Sequence, residues 1–160
     1  MHLNRRPYFA TINPAYFTDY PHLTEVLSKR TRLYLGIIIE INDCHCFVPL
    51  RNKIKTGAQF RKAGYPLPSA TRVNAGLDYR KILIINDLKY INVQTKVEII
   101  PAIQKNKIYA DFDKICDCLN KYIKAYIKEV KRNRVHENYL LNHSKLKNIY
   151  LSCLIKKINI

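Results

Sequence analysis

The sequence predicts an α+β fold in which an antiparallel sheet is followed by C-terminal amphipathic helices. Three observations carry that expectation. Short β-branched runs alternate with turn residues as far as Ile100, apolar spacing switches to three and four residues after Asp111, and nothing in the composition marks a domain boundary. With 160 residues, 48% of them hydrophobic, the chain suffices for one ordinary core, so residues 1–160 are expected to form a single domain.

A short helix is expected to begin at Pro21. Residues 34–41, YLGIIIEI, form an apolar run that ends at Asn42 and Asp43, and residues 46–50, CFVPL, follow; together they read as a tight antiparallel hairpin. Between residues 51 and 81, Arg51, Lys53, Lys55, Arg61, Lys62, Arg72, Arg80 and Lys81 are scattered among Gly57, Gly64, Pro66, Pro68 and Gly76, the composition of a long basic loop. Residues 82–85 and 88–93 flank Asn86 and Asp87 as strand, turn, strand. Residues 97–100 extend the sheet up to Pro101, for roughly five or six strands in all.

Beyond Asp111 the period is helical: Phe112, Ile115, Leu119, Tyr122, Ile123, Tyr126, Ile127 and Val130 trace one apolar stripe. Lys114, Lys121, Lys124, Lys128 and Lys131 project from the other side, interrupted by Asp117 and Glu129 and continued by Arg132 and Arg134. A second helix is expected from about Ser144, with Leu146, Ile149, Tyr150, Cys153 and Leu154 as its buried stripe.

Lys and Arg number 28 against 12 Asp and Glu, a formal charge of +16, which calls for an acidic partner. Phosphate backbones are the commonest such partner, because neutralising them releases condensed counterions. No run of about 18 apolar residues is present, and Arg5 and Arg6 are not followed by an apolar stretch, so neither a membrane span nor a signal peptide is expected, and the cytoplasm is the expected location. Five cysteines, an odd number, then read as reduced thiols. A DNA-binding regulator is disfavoured, since no helix-turn-helix spacing appears and the basic residues lie mainly between strands.

Metal chemistry finds little support. Cys44 and Cys46 on an extended strand point to one face and His45 to the other, and Cys116 and Cys118 on a helix do not face each other. None of His2, His22, His45, His136 and His143 stands in an H-E-x-x-H pattern, and Asp19, Glu25, Glu40 and Asp43 are too dispersed for a two-metal cluster. No metal or cofactor is therefore expected. RNA offers a route without one: its 2′-hydroxyl attacks the adjacent phosphate, and the protein supplies alignment and charge stabilisation from Arg, Lys, Tyr and Asn.

Residues 33–41, LYLGIIIEI, and 47–50, FVPL, resemble the core hairpin of the ToxN/AbiQ/TenpN family of type III toxin-antitoxin endoribonuclease toxins. Tyr8–Ile12 is similar to the family's first strand, 83–91 to a later sheet segment and 119–154 to its paired C-terminal helices, so nearly the whole chain is covered. The resemblance implies a strongly bent, barrel-like antiparallel sheet shared with MazF/Kid-type toxins. It implies metal-independent RNA cleavage leaving 2′,3′-cyclic phosphate, a role in phage defence, and an antitoxin that is a structured repeat RNA, a pseudoknot, linking protomers into closed rings.

The family's active-site pattern falls here on Tyr16, on Arg32 and on Arg51, Asn52 and Lys53. The resemblance assigns Arg51 and Lys53 to the pentavalent phosphate, with Arg32 assisting. Tyr16 would be proton relay or positioning group, and Asn52 would hold a ribose or phosphate oxygen. The chain departs from the family where hydroxyl residues are replaced by Arg51 and Asn52; Thr56 takes that role only if the loop shifts. RNA contacts are expected from Lys55, Thr56, Arg61, Lys62 and Arg80, from Tyr65 and Tyr79 by stacking on bases, and from Lys121, Lys124 and Lys128. Composition alone serves equally a non-catalytic RNA-binding module, which would bind RNA without releasing fragments.

Overall fold

The structure, a computed structural model, describes residues 6–20, 35–41, 44–54, 60–85, 87–93 and 99–137. The expected helices from Pro21 and Ser144 lie outside the described residues.

At the centre stand β2 (Leu35–Ile41) and β3 (Cys44–Arg51), antiparallel with Ile41 opposite Cys44 and Gly36 opposite Pro49, as the hairpin reading expected. β1 (Tyr8–Ile12) pairs with the other edge of β2, and β7 (Ile91–Val93) lies beyond β1. On the far edge of β3, the two-residue β6 (Leu83–Ile84) pairs near its start and β5 (Gly76–Asp78) at its end, with β4 (Gly64–Pro66) outermost. The seven-stranded order is β4-β5-β3-β2-β1-β7, with β6 off this path.

The barrel-like closure is not found among the described residues, because β4 and β7 end the sheet without pairing to each other. Each is three residues long, too short for the uniform tilt and stagger that closure demands.

Two cores explain why 37–39 reads as a continuous apolar run instead of an alternation: both faces of the sheet are covered. Ile37, Ile39, Ile41, Cys44, Cys46 and Val48 face one core, which α4 (Phe112–Lys131) completes with Ile115, Leu119, Ile123 and Tyr126. Ile38 and Phe47 face the other, with Ala10, Ile12, Leu83, Ile85, Tyr90 and, from α1 (Ala15–Asp19), Tyr16 and Phe17. The stripe expected on α4 is buried, apart from the half-buried Val130. Among the described residues, no helix is long and apolar enough to cross a membrane.

Three expectations need correction. The long basic loop is structured: α2 (Phe60–Ala63), β4, β5 and a 3-10 turn at Tyr79–Lys81 occupy it. Tyr65, Leu67, Leu77 and Tyr79 enter the main core there, and their burial outweighs the glycines, prolines and charges around them. Residues 88–93 do not form one strand. The Asp87 carboxylate accepts the Lys89 N–H and caps a 3-10 turn over Leu88–Tyr90, after which β7 crosses to β1. Ile99 and Ile100, expected to end a sheet segment, form a turn whose Ile100 tucks into the main core, residues 97–98 lie outside the described residues, and Pro101 opens a helix, α3 (Ala102–Ala110); only Gln104 and Ile108 of α3 are buried, too few to leave a stripe in the sequence.

Gly36 marks the tightest point of the sheet. A Cβ there would sit 2.7 Å from Phe47 Cζ and also against the backbone oxygen of Val48. Gly36→Ala is therefore expected to cost about 2 kcal/mol by overpacking, measured by urea unfolding. A change within about 0.5 kcal/mol would show that the pair opens without strain.

Candidate functional site

The registers bring several segments to one end of the sheet. Thr11 pairs with Leu35, Gly36 with Pro49, Arg51 with Gly76 and Ile12 with Ile91. β1 and β3 therefore end where β2, β5 and β7 begin. The chain after Ile12, residues 51–54, the 67–75 loop and Asp87–Tyr90 all meet there. Arg32 itself lies outside the described residues.

Backbone hydrogen bonds tie this end together. Asn13 N–H donates to Tyr90 O at 2.8 Å, Ile54 N–H to Asn74 O at 2.9 Å and Leu67 N–H to Ala75 O at 2.9 Å. The Asn13 side chain accepts from Ala15 N–H at 3.0 Å and so starts α1. Arg51 and the end of β1 are two strand spacings apart, about 10 Å.

Arg51, Asn52 and Lys53 are exposed. Val48 and Leu50 face the α4 core and Phe47 the other, so by strand alternation Arg51 lies on the face that α1 covers. Tyr16 occupies the same face but is 4% exposed. Its ring packs 5.5 Å from Phe17, 4.9 Å from Tyr20 and 5.3 Å from Tyr90. Tyr90 donates to Asp19 at 2.6 Å, fastening α1 to the start of β7.

Two further cations reach this end, and sequence reasoning did not assign either to the site. Arg72 is exposed in the 67–75 loop, where Ser69 Oγ accepts its N–H at 3.1 Å. Lys89 is exposed, 3.0 Å from Asp87 and 4.7 Å over the Tyr90 ring. Its hydrogen bond to Asp87 raises its pKa, so it stays an ammonium. The placement of Lys89 depends on the β1–β7 pairing, which no local pattern announces. The Glu40–His45 pair, at 3.5 Å, sits at the opposite, hairpin end. Among the described residues, no three His, Cys, Asp or Glu side chains gather as a metal site.

The other RNA contacts expected from the sequence divide. Lys55 and Thr56 lie outside the described residues, as does the side chain of Arg61 on α2. Lys62, Lys121, Lys124 and Lys128 are exposed.

Tyr65 and Tyr79 are corrected, because neither ring is available to stack on a base. Tyr65 is 6% exposed and donates to Asp111 at 2.7 Å, and Tyr79 is 0% exposed and donates to the Ile115 carbonyl at 3.1 Å. Arg80 also has a structural engagement. Its Nε and Nη2 bind the two oxygens of Asp78 at 3.0 and 3.1 Å, and Asp78 is buried.

These buried groups set an alkaline limit on stability. Burial pushes Tyr65 up to about 12, helped by its bond to Asp111, and pushes Tyr126 up to about 12 and the Cys116 thiol from 9.0 to about 12. Burial raises Tyr79 further in the same direction. The unfolded chain ionises at the lower, ordinary values, so this stability is complete below pH 9 and is lost as pH rises towards about 12. The thermal midpoint is expected to fall steadily between pH about 9 and about 11, with tyrosinate absorbance appearing together with unfolding. A flat midpoint over that range would contradict the burial of these groups.

No protein-family model matches the chain, and no curated protein matches it. A solved structure from work on bacterial type III toxin-antitoxin systems, concerning selective toxin inhibition by a non-coding RNA pseudoknot, matches with a TM-score of 0.52 and 21% identity. The match covers 76% of this chain and 78% of that one. At that identity the likeness establishes a shared fold, in agreement with the resemblance read from the sequence.

Proposed function

We propose that the chain is an endoribonuclease toxin of a type III toxin-antitoxin system, acting in the cytoplasm and held inactive by a structured repeat RNA that folds as a pseudoknot. One observation carries this reading: on a fold shared with a protein of such a system, Arg51, Asn52 and Lys53 emerge exposed at the sheet end, on the face that also holds Tyr16.

In this reading a phosphodiester lies across the sheet end. Arg51 grips two of its non-bridging oxygens and Lys53 adds a point charge, both favouring the dianionic pentavalent state over the monoanionic ground state. The RNA's own 2′-hydroxyl gives up its proton and attacks phosphorus while the P–O5′ bond breaks and the departing 5′-oxygen takes up a proton, so the products are a 2′,3′-cyclic phosphate and a 5′-hydroxyl, with no metal called for. Asn52 holds a ribose or phosphate oxygen, and Arg32 assists from the segment before β2. Tyr16, packed among three rings, acts as the positioning group that sets α1 against the sheet. Antitoxin RNA covers the same end and joins protomers into a closed ring, and release of the toxin during infection would serve phage defence.

The test is direct. Purified protein incubated with a pool of cellular RNA is expected to release fragments whose ends share a short motif, and an equimolar pseudoknot repeat RNA is expected to suppress that release. Tight binding with every RNA intact would replace the toxin reading with a non-catalytic RNA-binding module.

A further inference from the structure

The outer face of α4 carries charge that the sheet-end site does not use. Lys121, Lys124 and Lys128 are exposed there, with the small Ala125 exposed between them. At 3.6 residues per turn, Lys114, Lys121 and Lys128 fall nearly in line at about 10 Å intervals, and Lys124 sits beside them. Asp117 interrupts the face one turn before Lys121.

Apart from the exposed Asp113, one turn before Asp117, other carboxylates are engaged by other groups. Asp78 holds Arg80 at 3.0 Å, Asp87 holds Lys89 at 3.0 Å, and Asp111 holds Lys107 at 2.6 Å. Glu129 pairs with Arg132 at 3.7 Å and Glu137 with Arg134 at 2.8 Å. Lys121, Lys124 and Lys128 form no ion pair with a described residue, so the positive field concentrates along this helix.

The ridge and the candidate site lie on opposite sides of the sheet. α4 packs on the face bearing Ile37, Ile39 and Val48, whereas Arg51 alternates onto the Phe47 face. A helix layer therefore separates the lysines from the sheet plane, a distance of about 15 Å.

We propose that the outer face of α4 is a second nucleic-acid surface, one that grips the phosphate backbone of base-paired RNA and takes no part in cleavage. Single strands are recognised by stacking splayed bases on aromatic rings. The α4 tyrosines, Tyr122 and Tyr126, are 3% and 1% exposed and turned into the core, so the outer face offers charge alone. A straight helix of 20 residues is also a rigid row of cations, and a rigid duplex meets it without the ordering cost that a flexible strand would add. The choice of RNA over other phosphate polymers rests on the proposed function; the grip on a paired backbone does not rest on cleavage.

The test compares the full-length chain with a variant combining Lys121→Ala, Lys124→Ala and Lys128→Ala, and with one carrying Arg at the same three positions. Binding is read by anisotropy on a blunt RNA duplex of about 20 base pairs across a salt series. The alanine variant is expected to lose about ten- to a hundred-fold in duplex affinity near 0.1 M salt, and about 2 from the slope of log affinity against log salt. The arginine variant should keep both.

Unchanged duplex affinity and slope would overturn the proposal. So would retained duplex binding with loss of binding to phosphatidylserine vesicles, which would assign the ridge to an anionic membrane. If no RNA is ever cleaved but the alanine variant still loses the duplex, the ridge stands and the toxin reading falls.

Discussion

Arg51→Ala is expected to slow RNA cleavage by about a hundred- to a thousand-fold while leaving the thermal midpoint unchanged. Arg51 is exposed, and its backbone pairing with Gly76 survives truncation of the side chain, so the folded state loses little. In the proposed chemistry the transition state loses a bidentate donor just as negative charge accumulates on phosphorus-bound oxygens. Arg51→Lys keeps the charge but not the planar fork, and should recover only part of the loss. Single-turnover cleavage of a defined RNA measures this, and a rate equal to the parent's would remove Arg51 from the chemistry.

Arg80→Ala is expected to act on stability, by about 3 kcal/mol, which lowers the thermal midpoint by roughly 6–12 °C in a chain of this size. Sequence reasoning placed Arg80 among the RNA contacts, but its side chain is 13% exposed and is fastened to Asp78, which is 2% exposed. Removing the guanidinium strands a buried carboxylate. Its remaining hydrogen bond, from the Arg80 backbone N–H at 3.1 Å, does not replace a fork. Adding Asp78→Asn to the same chain removes the stranded charge and should restore part of the stability. Thermal melts of the three proteins decide it; a midpoint for Arg80→Ala within about 1 °C of the parent would mean the pair contributes nothing.

The parts of the fold that could be read in sequence are those whose signal is local and periodic. β2 and β3 show β-branched runs with turn residues between, and α4 shows its stripe because eight of its residues are buried on one side. α3 left no trace, since burying only Gln104 and Ile108 imposes no pattern. Tyr65 and Tyr79 were misread for a related reason. Their partners, Asp111 and the Ile115 carbonyl, are 46 and 36 residues away, and the charges beside them in sequence resemble a nucleic-acid surface. At the candidate site, Arg51 and Lys53 were assigned by the resemblance, at the end of a strand that is visible in the sequence. Arg72 and Lys89 depended on pairings between distant strands.

The most direct measurement is the chemistry of the ends. RNA incubated with the purified protein in excess EDTA, with fragment ends then identified by mass, should yield 2′,3′-cyclic phosphate and 5′-hydroxyl termini, and Arg51→Ala should yield neither. Fragments ending in 3′-hydroxyl and 5′-phosphate, or cleavage that EDTA abolishes, would contradict attack by the RNA's own 2′-hydroxyl at the sheet end.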